Sequence, residues 1–512
     1  MLINGLGIGV PYKTFIGAGE TLNQSSLYLP LKSTIVPSKG TSTPTFTRAT
    51  VAWSFDNEGK LNLNVPSGCV RFKGGRLVRN YVSTTSATLA VAATNTVTLS
   101  RAGTVTFSMG AGTGTATFSG TSGATGTLTA SPSGRTEVTK TCTAGTFIIT
   151  ASVATLVDIQ VEIVSGQTDQ TASEYVSVGV LSSPYHGAGV DGCKWFPTNK
   201  DGSAISTSTL EGYLAEPGRT NNCLWNRDLT NVAWTNTNIT AAKTAIGLDN
   251  VANSATRLTA AATDATITQL LTAATGTRTF SAYIKRISGS GTISLTRNGG
   301  TNWTDIPSSL VTGSWVLVKM TSDVGANPTV GIKMGTSGDV IDVDCVQDEN
   351  GAWATSPILT TTAAVTRNAD VLSYASAFDV AQGTALCSVM SSIPINSGSQ
   401  TIILDSTNCT IMYLNSASAR TTTLSYDGLN TATVTGNDIT TAICKRAVRW
   451  GADLRMAADG MLGTATAFDG GMGASGTIEI AGEYGIQLSG TIREVHIWPT
   501  PLTDAQMKQV TT

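Results

Sequence analysis

In the stretch "RTFSAYIKR", Phe280, Ala282 and Ile284 alternate with Ser281, Tyr283 and Lys285. This period of two limits what the chain can fold into more than any other feature does. Residues that alternate between apolar and polar suit a strand with one face in a core and one face outward, and they do not suit a helix. The pattern returns in "TVTFSMG", "TVGIKM" and "IDVDCVQ". Thr, Val, Ile and Ser are frequent, and Lys, Glu and Leu are scarce for a helical protein, which favours pleated, half-buried strands. Glycine-rich turns separate short strands, as in "AGTVTFSMGAGTGTATFSGTSGATGTLTASPSG". The expected fold is all-β: tandem β-sandwiches of jelly-roll type, with an extended N-terminal arm and a short C-terminal helix.

A chain of 512 residues is too long for one core, and three or four domains of roughly 100–150 residues are expected. Residues 1–45 hold four prolines, several glycines and few alternating runs. They read as an anchoring arm that gains order against something else, or as a frayed tail. Residues 46–81 and 171–220 read as a lead and connector segment, and residues 82–170, almost all Thr, Ser, Ala, Gly and Val, as an inserted sandwich. Residues 221–362 form a second sandwich and residues 376–512 a third. In the second, "TISLTRNGGTNWTDI" predicts a hairpin turning at Asn298-Gly299, and in the third Asp459-Gly460 closes another. The closing stretch "PLTDAQMKQV" changes to helical period, with Thr503 and Gln506 as a capping box and Leu502 as its staple.

Two stretches echo each other. "GGRLVRN" (74–80) and "PGRTNN" (217–222) share a glycine, an arginine and an asparagine. If 82–210 were excised, the first would run, through Tyr81 and "EGYLAEPGRT", into "NNCLWNRDLTNVAW". The chain thus leaves one structural context, makes an insert, and returns through a similar turn.

Net charge is −2 with 13% charged residues, and no basic stripe is present to neutralise phosphates, so nucleic acid is not an expected partner. No run approaches the roughly 18 apolar residues of a membrane span. The N-terminus lacks a basic region before its glycine-broken apolar stretch and does not read as a secretory signal. The eight cysteines, Cys69, Cys142, Cys193, Cys223, Cys345, Cys387, Cys409 and Cys444, are single and far apart. Free buried thiols are expected. The sequons at Asn238, Asn302 and Asn408 are ordinary for a Thr-rich chain.

No GxSxG, HExxH or GKS/GKT pattern occurs. His186 and His496 have no metal-ligand neighbours at suitable spacing and read as structural. The densest acidic stretch holds Asp339, Asp342, Asp344, Asp348 and Glu349. Asp342 and Asp344 fall on one strand face about 6.6–7 Å apart. That separation lies near the range of glycosidase carboxylate pairs, and the same oxygens would suit calcium, the one cofactor the sequence leaves open. The plainer reading is a solvated outer face that deters edge pairing. Among aromatic residues, Trp303 follows the Asn-Gly-Gly turn at a hairpin rim and is the best candidate for stacking on a sugar, with Tyr283 as a second. Trp315, Trp353, Trp450 and Trp498 read as core, and Trp225 and Trp234 as packing.

"PTFTRATVAW", "GGRLVRN", "LAEPGRTNNCLWNRDLTNVAW" and "DVDCVQDENGAWATSPILTTTAAVTRNADVLSY" together resemble a layout of tailed-bacteriophage virion proteins. In it a lead segment precedes a carbohydrate-binding-module-like sandwich and then a laminin-G or concanavalin-like lectin domain. "RWGADLRMAADGMLG" and "TIREVHIWPTPLTDAQMKQV" are similar to the hairpin, last strand and closing helix of that lectin-like fold. The resemblance spans about residues 44–80 and 212–512 and carries over no sugar or calcium ligand. It implies a non-enzymatic fibre, spike or tail-appendage subunit of the virion, made in the host cytoplasm and attaching to host-surface glycans. The expected partners are other virion proteins through the N-terminal arm and, because exposed sandwich edges and avidity both favour multiple copies, further copies of itself, with a trimer expected. Alternatives are a capsid or collar decoration protein whose sandwiches bind nothing, and a polysaccharide depolymerase.

Overall fold

The computed structural model describes residues 18–99, 101–179, 185–306, 310, 312–375, 379–392, 400–405, 409–414, 422–440, 442–472, 477–482 and 486–512. The fold is all-β, with α-helices only at Ala18–Asn23 and Asp504–Thr511 among the described residues.

The first sandwich faces a sheet of Gly126–Thr129, Thr115–Gly120, Gly145–Ala151 and Thr94–Leu99 against one of Thr136–Cys142, Gly103–Met109 and Gln160–Ile163. Every other residue points inward, so this Thr-rich stretch closes on few large side chains. The rings of Phe107 and Phe118 are 4.6 Å apart and those of Phe107 and Phe147 4.9 Å, joined by Val97, Ile149 and Val161. Such pairs add to the burial of their own area.

The second sandwich has two five-stranded sheets, one centred on Thr329–Met334 and one on Val340–Asn350. Phe280, Ala282 and Ile284 enter its core with Leu258, Ile267, Ile332 and Ile341, as the alternation requires. Strand Ile293–Thr296 pairs with Thr304–Asp305. Gly299 and Gly300, not Asn298, carry the positive φ values, of 70° and 87°, so the loop is wider than a two-residue turn.

The third body joins two eight-stranded sheets. Its closing hairpin turns at Asp459 (φ 48°) and Gly460 (φ 79°), the left-handed pair of a type I′ turn. The Thr503 side chain accepts from Gln506 N and the Gln506 side chain accepts in return. Leu502 and Met507 share one apolar cluster, the staple geometry.

This third body is assembled from distant pieces of chain. Gly490–Trp498 pairs with Gly383–Ser391, with Gly212–Ala215 and with Leu27–Leu29. Phe72–Lys73 extends the same sheet, and Pro44–Thr47 edges the opposite one. Leu29 and Leu31 are fully buried in its core. Trp498 Nε1 donates to Thr21 O at 2.9 Å, and Tyr374 donates to Ile35 O at 2.8 Å. Residues 18–45 are therefore part of the third body and not an arm ordered by something outside it. Strands of three and four residues are too short for alternation to declare them. Residues 1–17 of the expected arm, and the Cys409 side chain, lie outside the described residues. The other seven cysteines are free and buried.

A closed cluster of charge joins the segments that lead into and out of the second sandwich. Arg48 Nη1 donates to Asp370 Oδ1 at 2.8 Å, and Arg71 bonds the other oxygen of the same carboxylate. Arg71 and Arg367 each place Nη1 2.9 Å from Glu216 Oε2. Ser356 N donates to Glu216 Oε1 at 2.7 Å. Lead segment, connector and the linker before the third body meet here, with each carboxylate bridging two guanidinium groups.

Candidate functional site

Asp342 and Asp344 do not face solvent. Both are 0% exposed, in the central strand Val340–Asn350. Arg257 Nε meets Asp342 Oδ1 at 2.7 Å, and Lys285 Nζ lies 3.3 Å from the other oxygen. Arg227 grips Asp344 with Nε at 2.7 Å and Nη2 at 2.8 Å, and Leu248 N adds a third bond at 2.8 Å. The reading as a solvated face fails for two reasons. First, Cys345 adopts φ 49° and the pairing with Gly276–Ser288 slips there, a bulge that ends the simple alternation. Second, the outer face is covered. Cys345, Leu61, Leu248, Tyr283, Trp53, Phe55 and Trp315 pack together where the lead segment docks on the sheet.

Tyr283 belongs to that joint. Its ring is 5.8 Å from Phe55, and burial pushes its phenol pKa up. It is a packing residue between two bodies and not an open stacking platform. Trp315 sits beside it under Lys285 Nζ, 4.7 Å from the ring. Trp303 does stand at the loop rim, partly exposed, with Lys333 Nζ 5.5 Å from its ring. The structure thus separates the four candidates: Trp303 lies at one end of the second sandwich, while Asp342, Asp344 and Tyr283 are built into its docked face.

Asp348 and Glu349 are equally committed. Arg278 and Arg297 hold Asp348, and Glu349 accepts from Thr355 N at 2.9 Å. Among the described residues, no group of three or more His, Cys, Asp or Glu side chains is placed to hold a metal. His186 lies 3.1 Å from Ser177 Oγ, and burial lowers its pKa. His496 stacks on Tyr28 with ring centroids 4.2 Å apart.

Sequence reasoning missed a cleft of about 830 Å³ at the root of the second sandwich, a size typical of ligand sites. Arg219, Asn350, Gly351, Trp353, Asn368 and Gln487 line it. Arg219 begins strand Arg219–Asn221, directly after the Pro-Gly turn. Its guanidinium lies 4.9 Å from the centroid of the Trp353 ring, a cation–π geometry. Gly351 (φ 121°) leaves the space: a Cβ there would sit 2.9 Å from Arg219 Nη2. Arg219 Nη1 donates to Gly218 O at 3.1 Å.

Among the described residues no carboxylate lies within ion-pair distance of Arg219. The nearby Glu349 is already held by Thr355. Burial accordingly lowers the Arg219 pKa. Trp353 is 4% exposed, so its indole supports the guanidinium from behind and does not present a free face. Among the described residues, Trp353 Nε1, Arg219 Nε and Gln487 Oε1 find no hydrogen-bond partner. A held cation with amides around it is chemistry for an anionic, hydroxyl-rich ligand, since carboxylate matches the guanidinium fork.

Neither a protein-family model nor a curated protein matches this chain.

Proposed function

We propose that the chain is a non-enzymatic structural subunit of a bacteriophage virion, a fibre, spike or tail appendage, that displays its sandwiches to host-surface glycans. The resemblance of the lead segment and C-terminal half supports the virion part. One observation carries the binding part: the Arg219 guanidinium is held against Trp353 in an open polar cleft, with no carboxylate within ion-pair distance among the described residues. A saccharide bearing a carboxylate, such as a uronic acid, is the ligand that satisfies it. The acidic stretch supports a non-catalytic role, because Asp342, Asp344, Asp348 and Glu349 are spent on fixed partners. Several copies on one particle would turn a weak site into firm attachment.

Immunogold electron microscopy of purified particles, with an antibody to residues 376–512, tests the placement. Gold at the distal tail or baseplate is the expected result. Gold over the capsid or collar would replace this reading with decoration, and absence of the protein from particles would overturn it.

A further inference from the structure

Asn80 and Asn221 make the same four hydrogen bonds. Asn80 Oδ1 accepts from Val82 N, two residues on, and from Val161 N on the strand that closes the first sandwich. Its Nδ2 donates to Ile159 O and Val176 O. Asn221 Oδ1 accepts from Cys223 N, again two residues on, and from Asp348 N on the strand that closes the second. Its Nδ2 donates to Val346 O and Ile358 O.

The correspondence extends outward residue by residue. Tyr81 N donates to Val161 O, and Asn222 N to Asp348 O. Gln160 Oε1 accepts from Val176 N, and Gln347 Oε1 from Ile358 N. Glu162 accepts from Ser173 N, and Glu349 from Thr355 N. Ser86 O accepts from Ile159 N while its hydroxyl accepts from Val178 N. Asn226 O accepts from Val346 N while its amide oxygen accepts from Thr360 N. In each case the strand before the asparagine also pairs with the strand that leaves the module: Arg76–Arg79 with Cys193–Phe196, and Arg219–Asn221 with Val365–Arg367. "IQVE" (159–162) and "VQDE" (346–349) are the visible trace in sequence.

One such buried amide is ordinary. A set of this many, in one order, around two roots is not what two unrelated insertions produce. We propose that residues 80–178 and 221–360 are two copies of one plug-in sandwich, each seated in the same kind of socket, so that the third body is an adaptor carrying two exchangeable heads. The heads have diverged at their roots. Arg76, four residues before Asn80 where Arg219 stands two before Asn221, also stacks on an aromatic ring, Phe196 at 4.6 Å. Yet Arg76 is tied to Glu174 by bonds of 2.8 and 2.6 Å, whereas Arg219 keeps its charge for a ligand. The socket inference stands on hydrogen bonding alone and is independent of the glycan reading.

Hydrogen–deuterium exchange on the full chain tests it. Asn80→Ala should raise exchange by about tenfold or more, the size of one lost buried hydrogen bond, in amides of 82–163 and leave 223–349 unchanged. Asn221→Ala should do the converse. A variant that loosens both heads, or two variants that differ in whether they loosen anything, would overturn the proposal. In a second arm, residues 82–159 replace residues 223–346 of the full chain. Protected amides in the transplant are expected, and rapid exchange throughout it would overturn the claim that the sockets are equivalent.

Discussion

Asp370 Oδ1 accepts a 2.8 Å hydrogen bond from Arg48 Nη1 at a place where neither side chain meets solvent. Arg48 belongs to the lead segment, and Asp370 directly precedes the strand Val371–Ala375 of the third body. Since Asp370 also holds Arg71, removing its charge strands two buried guanidinium groups. Asp370→Asn should cost about 3–5 kcal/mol, read as a lowered midpoint in urea unfolding. A loss below about 1 kcal/mol would mean that water reaches the joint.

The same joint predicts a pH response. Burial alone would raise the Glu216 pKa, but Arg367 and Arg71 overcome it and hold the carboxyl at about 2. A depressed pKa gives stability that is present above the unfolded value, near 4.3, and is lost as pH falls toward 2. That contribution is on the order of 3 kcal/mol. Glu494, also held at about 2, chiefly by the His496 imidazole 3.7 Å away and by the Ser388 hydroxyl, adds to the same window. Glu216→Gln should lower stability at pH 7 and flatten the decline between pH 4.5 and 2 (approximate bounds set by those pKa values). An unchanged slope would contradict the assignment.

Asp56 has the opposite sign. Burial pushes its pKa up to about 6, against hydrogen bonds from the Lys60 and Glu58 backbone. An acid raised on folding is most favourable while protonated, so its cost grows as pH rises from near 4 through 6. Asp56→Asn keeps an oxygen for both N–H groups and removes the charge. It should stabilise the protein by on the order of 1 kcal/mol at pH 8 and have no stabilising effect at pH 4, as thermal melts at the two values would show.

Thr503→Ala should cost about 1 kcal/mol, since the Thr503 hydroxyl, capping Asp504–Thr511, accepts from Gln506 N at 3.3 Å. The helix covers Ala447, Ala457 and Trp498 through Met507 and Val510. Fraying should therefore appear as faster exchange in Cys444–Trp450 as well as in the helix.

Alternation made strands such as Gly276–Ser288 legible, and local rules gave the Asp459-Gly460 turn and the Thr503 cap, because each depends on neighbours in sequence. Features that depend on distant segments were not legible. Asp342 and Asp344, opposite Ile341 and Val343, look solvated in sequence and are buried among Arg257, Lys285, Arg227 and Leu248, which come from distant segments. Leu27–Leu29 looks like part of an arm because its partner strand lies far along the chain, at Gly490–Trp498. The cleft was hidden for the same reason: Arg219 and Trp353 meet only when the second sandwich closes on its root. The shared asparagine of the two echoing stretches was visible, and only the hydrogen bonds of Asn80 and Asn221 give it a cause.

The most direct measurement is calorimetric titration of the full-length protein with a panel of uronic-acid oligosaccharides and their carboxyl-reduced, neutral counterparts. The account predicts that the acidic forms bind at least about tenfold tighter, roughly 1.4 kcal/mol, that Arg219→Gln removes this preference, and that Trp303→Ala leaves it intact. Equal affinity for acidic and neutral forms, no binding of either, or a preference that survives Arg219→Gln would contradict it.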